Sequence, residues 1–260
     1  MRETDDGLLF EKESARKKLE QVGRVIMVGS GKGGVGKSFV ASGLAITLSR
    51  LGHRTGILDL DIHGASLPGY FGVSPPLTST ERGLKPKVKE GVEIMSVALF
   101  TGNRPVAVRG SEKQNLVNEV FALTDWGHLE YLVVDLPPTT GDEVLSAFEL
   151  FGKKTGLILV TTPSPLAVSI VSRLRQLAKG EGIPVLGLVI NMAYLKKGKR
   201  KSFPFGRSDR PSMEKRLSTK IIAEIPLDEG VSSKGLARML TGRNEISPEF
   251  KRIAAFVASS

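Results

Sequence analysis

Short apolar runs of strand length alternate with longer stretches of helical period along most of the chain. RVIMVG at 24–29, RTGILDL at 54–60, VEIMSVA at 92–98, YLVVDL at 131–136, GLILVT at 156–161, PVLGLVIN at 184–191 and KIIAEIP at 220–226 are rich in β-branched and other apolar residues. Strands written this way are buried on both faces, which requires a mostly parallel sheet with helices above and below it. Between them the pattern predicts helices near 37–51, within SEKQNLVNEVFALTDW, over GDEVLSAFELF and over PLAVSIVSRLRQLAKG, with two short ones near 231–240 and 247–258. Ser111 stands where the N-cap of the second helix belongs, and the fourth ends in lysine and glycine, as helix ends often do. Two segments, 74–91 and 195–211, carry no regular period and read as irregular. No repeat and no Gly/Ser-rich linker divides the chain. The expectation is a helical N-terminal segment, 1–22, followed by one α/β domain, 23–260.

Composition narrows the class. A length of 260 residues suits one large α/β domain, and 40% hydrophobic with 25% charged residues is ordinary for a soluble protein. There is no cysteine, which removes disulfides, thiolate metal sites and thiol catalysis from this chain. The first residues are polar, and the longest apolar runs fall far short of a membrane span, so the expected setting is the cytoplasm, with no membrane. A net charge of +10 favours anionic partners.

The stretch GSGKGGVGKS, 29–38, fits two nucleotide patterns at once. Gly29, Gly31 and Gly34 spell the dinucleotide fingerprint G-x-G-x-x-G, while Gly31, Gly36, Lys37 and Ser38 spell the phosphate-binding loop G-x-x-x-x-G-K-S. Gly36-Lys37-Ser38 decides between them. A P-loop needs a lysine for the β/γ-phosphates and a hydroxyl for magnesium at the start of the helix, and both are present after a strand. Gly31, Gly33, Gly34, Val35, Gly36, Lys37, Ser38 and Phe39 then form the cradle of a nucleoside triphosphate, with the helix N-terminus facing its charge. The domain is therefore expected to be a single-domain P-loop NTPase.

Magnesium needs a carboxylate at the end of a neighbouring buried strand. YLVVD places Asp135 there, followed by LPPTTGD, a turn-rich segment suited to sensing a γ-phosphate. ILDLD ends in Asp59 and Asp61, which alternation puts on the same side of an extended strand, unless the strand has already ended. One of the two can aid magnesium and the other can position water.

These motifs carry a family likeness. KGGVGKS, LDLDIHGAS, DWGHLEYLVVDLPPTTGDE, VTTPSPLAV, PVLGLVINMAY and EIPLD, spread from about Arg24 to about Ala237, resemble the Mrp branch of the MinD/ParA-type P-loop ATPases. The resemblance implies a Mg-ATP-dependent ATPase that closes as a homodimer over its nucleotides. Lys32, the early lysine of the loop, would act in trans on the partner subunit's phosphates, with the logic of an arginine finger. Asp61 would orient the attacking water. Ser38, and Asp135 through water, would hold magnesium. Asn191 would read the adenine base with the backbone around Pro226 and Leu227.

The chain also departs from that family. Phe39 stands where a threonine usually follows the P-loop serine. Thr139 replaces a glycine of the sensor loop, and His63 and Ala65 replace a tyrosine and a proline of the first switch. Mrp-type proteins are understood as iron–sulfur cluster carriers using a C-x-x-C pair a few residues after N-M-x-Y; here those positions fall at about Lys197 and Arg200. Lysine and arginine cannot hold a cluster as soft thiolates do. The expected role is thus a nucleotide-controlled carrier or assembly factor for a client protein. The alternative is a ParA-like partitioning ATPase, with DNA on the basic 195–210 loop and Phe203 or Phe205 stacking on a base. The tail EFKRIAAFVASS is short and ends in small residues, which argues against a membrane-surface ATPase like MinD.

Overall fold

The computed structural model describes residues 13–61, 64, 66–102, 111–138, 140–198, 200–242 and 244–260. Its strands are β1 (Val22–Ser30), β2 (Thr55–Asp59), β3 (Thr78–Thr80), β4 (Gly83–Lys85), β5 (Lys87–Lys89), β6 (Val92–Ser96), β7 (Leu129–Asp135), β8 (Thr155–Thr161), β9 (Val185–Ile190), β10 (Leu195–Lys197), β11 (Arg200–Ser202) and β12 (Ile221–Glu224). Eight of them form one sheet in the order β12-β9-β8-β1-β7-β2-β6-β5. All its pairings are parallel except the edge strand β5, which runs against β6. This is the single α/β domain that the apolar runs call for.

Alternation along the strands divides the core in two. Val25 and Met27 of β1 face one side with Leu132 and Val134 of β7, while Ile26 and Val28 face the other with Val133. The first side is covered by α5 (Ser111–Leu123), α6 (Asp142–Phe151) and α7 (Pro165–Gly180), the second by α2 (Lys37–Arg50) and α11 (Ile246–Ser259). α2 is buried along nearly its whole length, which explains why its sequence, KSFVASGLAITLSR, is apolar around most of its surface. α11 lies against it so closely that a Cβ on Gly43 would enter the Phe250 ring, and Phe39 meets the same ring edge-on at 5.5 Å. The apolar residues Ile246, Phe250, Ile253, Ala254 and Val257 of α11 are buried in this packing. No described helix is long and apolar enough to cross a membrane.

The N-terminal segment, helical over 13–19 (α1), packs against the first of these sides: Ala15 is buried there, and Lys18 Nζ donates to Thr124 O at 2.6 Å. β1 starts at Val22, one residue before the expected boundary.

Local structure departs from expectation where tertiary contact overrides pattern. VEIMSVA leaves the sheet at Ser96, whose Oγ accepts the Ala98 N–H at 3.2 Å and starts α4 (Val97–Phe100). The stretch near 231–240 is two helices, α9 (Gly230–Lys234) and α10 (Leu236–Met239), separated by Gly235 at φ 81°. The two segments expected to be irregular contain the antiparallel pairs β3–β4 and β10–β11, and 74–91 also supplies β5. Strands of three residues are too short to show a period. α3 (Leu67–Phe71) and α8 (Arg210–Leu217) were not foreseen either; the second is stopped and started by its caps, Asp209 accepting the Ser212 N–H at 3.3 Å.

Candidate functional site

The P-loop leaves β1 at the middle of the sheet. β1 sits between β7 and β8, and the chain runs from it across β7 to β2, while β8 and β9 lie on the other side. Such a reversal opens a crevice at the carboxyl ends of the strands, where α/β proteins bind ligands. Two glycines explain the loop's path. A Cβ on Gly31 would lie 2.5 Å from the Ile170 backbone of α7, so the loop can pass only as glycine. Gly36 takes φ 81°, ψ 32° as the N-cap of α2 and supplies no side-chain cap, which leaves the first N–H groups of the helix for a ligand. A cleft of about 310 Å³ is lined by this loop with Asp61, Tyr70, Pro138 and Met192.

Beneath it, the register sets Asp59 of β2 level with Asp135 of β7. Lys37 Nζ donates to Asp135 Oδ1 at 2.6 Å, with both side chains buried. Ser38 also hydrogen-bonds Asp135, yet Oδ2 of that carboxylate is buried with no partner. Burial raises the Asp135 carboxyl above the usual range, opposed chiefly by the Lys37 charge. Asp59 is pushed up to about 7 by burial first and by the Asp135 charge second, against the Asp61 N–H, Lys37 and Ser96. Two buried carboxylates around one ammonium leave a deficit of positive charge. The orphaned oxygen and the Ser38 hydroxyl are hard donors of the kind magnesium takes, so the residues present fit that ion. Among the described residues no group of three or more His, Asp or Glu forms a cage.

The D-x-D pair does not stay on one side. β2 ends at Asp59, so alternation fails at the next residue. Asp59 is fully buried, accepting the Ser96 hydroxyl at 3.1 Å and the Asp61 N–H at 3.0 Å, and does not line the cleft. Asp61 does line it, half-exposed, with Oδ1 accepting the Gly64 N–H at 3.0 Å. Lys32 is half-exposed on the cleft, and among the described residues no carboxylate pairs with it. His63, Ala65 and Thr139 lie outside the described residues.

A second, smaller cleft of about 140 Å³ adjoins the first, lined by Phe39, Tyr70, Asn191, Met192, Pro226 and Leu227 among others. Asn191 is buried, and its Nδ2 donates to Val35 O in the loop at 2.9 Å. Three participants escaped sequence reasoning: Ser96, which holds Asp59, and Tyr70 and Met192, which line both clefts. Met192 stood in the N-M-x-Y segment with no role attached, and Tyr70 sits in a short helix without period. Lys197 and Arg200 face each other across the β10–β11 turn, both exposed. Around them Lys201 lies over the Tyr194 ring at 3.8 Å, Arg207 over Phe203 at 4.3 Å, and Lys196 pairs with Glu245.

A larger cavity, about 670 Å³, opens at the opposite end of the sheet near Arg16, Lys154 and Glu181. Its mixed charges surround no phosphate loop, so chemistry rather than size points to the P-loop clefts.

The chain is similar to known proteins along most of its length. An iron–sulfur cluster carrier protein of Aquifex aeolicus is 37% identical over 225 residues, 84% of this chain and 62% of that protein. One from Methanocaldococcus jannaschii is 35% identical over 251 residues, 92% of this chain and 85% of its own length. The chain thus spans less than two thirds of some of these relatives. Among solved structures, a nucleotide-binding protein in complex with ADP from Archaeoglobus fulgidus matches with TM-score 0.74 and 31% identity, covering 88% of this chain and 90% of that one. The cell division ATPase MinD of Pyrococcus furiosus, at 21% identity and TM-score 0.67 over 91% of this chain and 99% of its own, shares the fold. The family model described as ParA, NUBPL iron-transfer P-loop NTPase, matches residues 21–258, and this chain belongs to that family.

Proposed function

We propose that this protein is a Mg-ATP-binding, ATP-hydrolysing dimeric switch that controls a carrier or assembly step for a client protein. The buried Lys37–Asp135 pair at the foot of the P-loop carries the reading, because an ammonium and an unsatisfied carboxylate are held ready where a triphosphate would enter. Lys37 leaves Asp135 to meet the β- and γ-phosphates. Ser38, and Asp135 through water, with Asp59 behind them, would hold magnesium, which would supply positive charge against the phosphates. Asp61 orients water for in-line attack on the γ-phosphate. Lys32 reaches the nucleotide of a second subunit, so that turnover depends on assembly. The smaller cleft beside Asn191 and Pro226 takes the adenine, with Phe39 as one wall. Catalysis is then mainly positioning and charge stabilisation.

The cargo differs from what the family's name describes. With no cysteine, and with Lys197 and Arg200 at the hairpin turn, this chain offers no thiolate to an iron–sulfur cluster. It acts on a client whose cluster, if any, is held by the client's own ligands. ATP turnover and size-exclusion chromatography with Mg-ATP test the switch. Asp61→Ala is expected to bind ATP and dimerise without turnover, and Lys32→Ala to bind as a monomer with turnover near background. Normal hydrolysis by Lys32→Ala defeats the trans role.

A further inference from the structure

We infer that Asn191 is a positioning residue for the P-loop: its side-chain amide fixes the Val35–Gly36 peptide in the phosphate-binding orientation. The inference rests on the proposed nucleotide site and assigns Asn191 an action on phosphate rather than on base. Its backbone is held like a post. The Asn191 N–H donates to Thr161 O of β8 at 2.8 Å, and its neighbours are fixed to the strand beyond, Ile225 N–H to Ile190 O and Ala193 N–H to Ile225 O at 2.8 and 2.9 Å. The side chain, 3% exposed, then crosses to the loop and donates to Val35 O at 2.9 Å, a bond buried from water. Only the amide nitrogen can donate to a carbonyl oxygen, so one of its two N–H groups is committed to the loop.

The consequence for phosphate follows from peptide geometry. In a trans peptide the C=O and the next N–H point in opposite directions. Holding Val35 O on Asn191 therefore turns the Gly36 N–H the other way, and the left-handed Gly36 passes the chain directly into α2. The loop rests on the asparagine at this point: a Cβ on Gly36 would collide with Nδ2. Without the donor, Val35 O would be a buried acceptor with nothing to bind, and its peptide would turn to find a partner. The first N–H groups of the helix would lose their aim together. A loop pre-set before ligand arrives spares the ordering cost that binding must otherwise meet. At Gly33 and Gly34, by contrast, a Cβ would meet only open space.

The experiment measures the affinity of full-length wild type and Asn191→Ala for Mg-ATP, Mg-GTP and Mg-tripolyphosphate, well below the melting temperature of each. Wild type should bind ATP and tripolyphosphate. Asn191→Ala should weaken all three by a similar factor, about tenfold, as loss of one buried hydrogen bond predicts. Amide exchange at 33–37 should rise while that of β1 stays unchanged. A loss confined to ATP, with tripolyphosphate binding unaltered, overturns the positioning role in favour of base reading. If wild type binds none of the three, the nucleotide reading itself is wrong and this inference goes with it. Exchange of the Asn191 side-chain amide protons in wild type needs no variant: strong protection supports the brace, and exchange at the rate of an exposed amide overturns it.

Discussion

The P-loop crevice and the β10–β11 hairpin are both rich in lysine, and they treat it in opposite ways. In the crevice Lys37 is 5% exposed and paired with a carboxylate that is itself fully buried. On the hairpin Lys197, Arg200 and Lys201 stand in solvent, and the contacts they make are at the surface, such as Lys201 on the Tyr194 ring. A charge taken from water must be paired, which fixes its neighbours and leaves little room to vary. A charge left in water constrains almost nothing around it. The difference teaches where this fold leaves room for change: the exposed turn puts lysine and arginine at the positions where the Mrp resemblance implies thiolates, while in the crevice Lys37 follows Gly36 and is locked to a buried carboxylate.

The contrast breaks most violently at Lys37. Lys37→Ala should abolish measurable ATP binding by calorimetry, and it should also cost the ligand-free protein about 3–5 kcal/mol, because the Asp135 charge loses its buried partner. Adding Asp135→Asn should recover most of that stability without recovering binding. A Lys37→Ala protein that melts like wild type would mean that Asp135, whose carboxyl burial already raises, takes up a proton once the ammonium is gone, so that no buried charge is left unpaired.

Phe39 sharpens the comparison from the apolar side. The aromatic at this position fills space between Tyr70 and Phe250, tying the start of α2 to the C-terminal helix. Phe39→Thr restores the residue type that usually follows the serine in Mrp-type loops, but it leaves a cavity against Phe250. Thermal or urea unfolding should show a loss of about 2–4 kcal/mol, on the scale of other large-to-small core changes. A neutral result would detach α11 from the support of the loop.

Much of this was readable before the fold was known, for a physical reason. The P-loop is contiguous, so Gly31, Gly36, Lys37 and Ser38 announce their chemistry by spacing alone, and the buried parallel strands announce themselves by unbroken apolar runs. The parts that depend on distant partners were silent. Ser96 holds Asp59 from 37 residues away, and Asn191 reaches Val35 across 156, so neither role leaves a local pattern. The D-x-D pair turned on a related point: alternation holds only inside a strand, and nothing in ILDLD says whether pairing stops at Asp59, so the sequence left both placements open and the strand end selects the second. Hairpins with three-residue strands lie below the length at which period two can be seen.

The smallest structural effect, and the cleanest test of the exposed region, belongs to the hairpin turn. Lys197→Glu with Arg200→Glu reverses two charges that face each other across the pair and contact solvent. Exposed substitutions of this kind usually change stability by no more than about 0.5 kcal/mol, and neither residue lines the P-loop clefts. Melting temperature, ATP affinity and turnover should therefore match wild type. Duplex-DNA binding across a salt series, with ATP, with ADP and without nucleotide, then reads what the turn is for. ATP-dependent binding by wild type that falls steeply with salt and is lost in the variant would place DNA on the hairpin, since released counterions give that slope. Absence of DNA binding at moderate salt leaves the turn to an acidic face of a protein client. In that case the variant should fail in pull-downs with the hydrolysis-dead Asp61→Ala dimer while its ATPase runs unchanged.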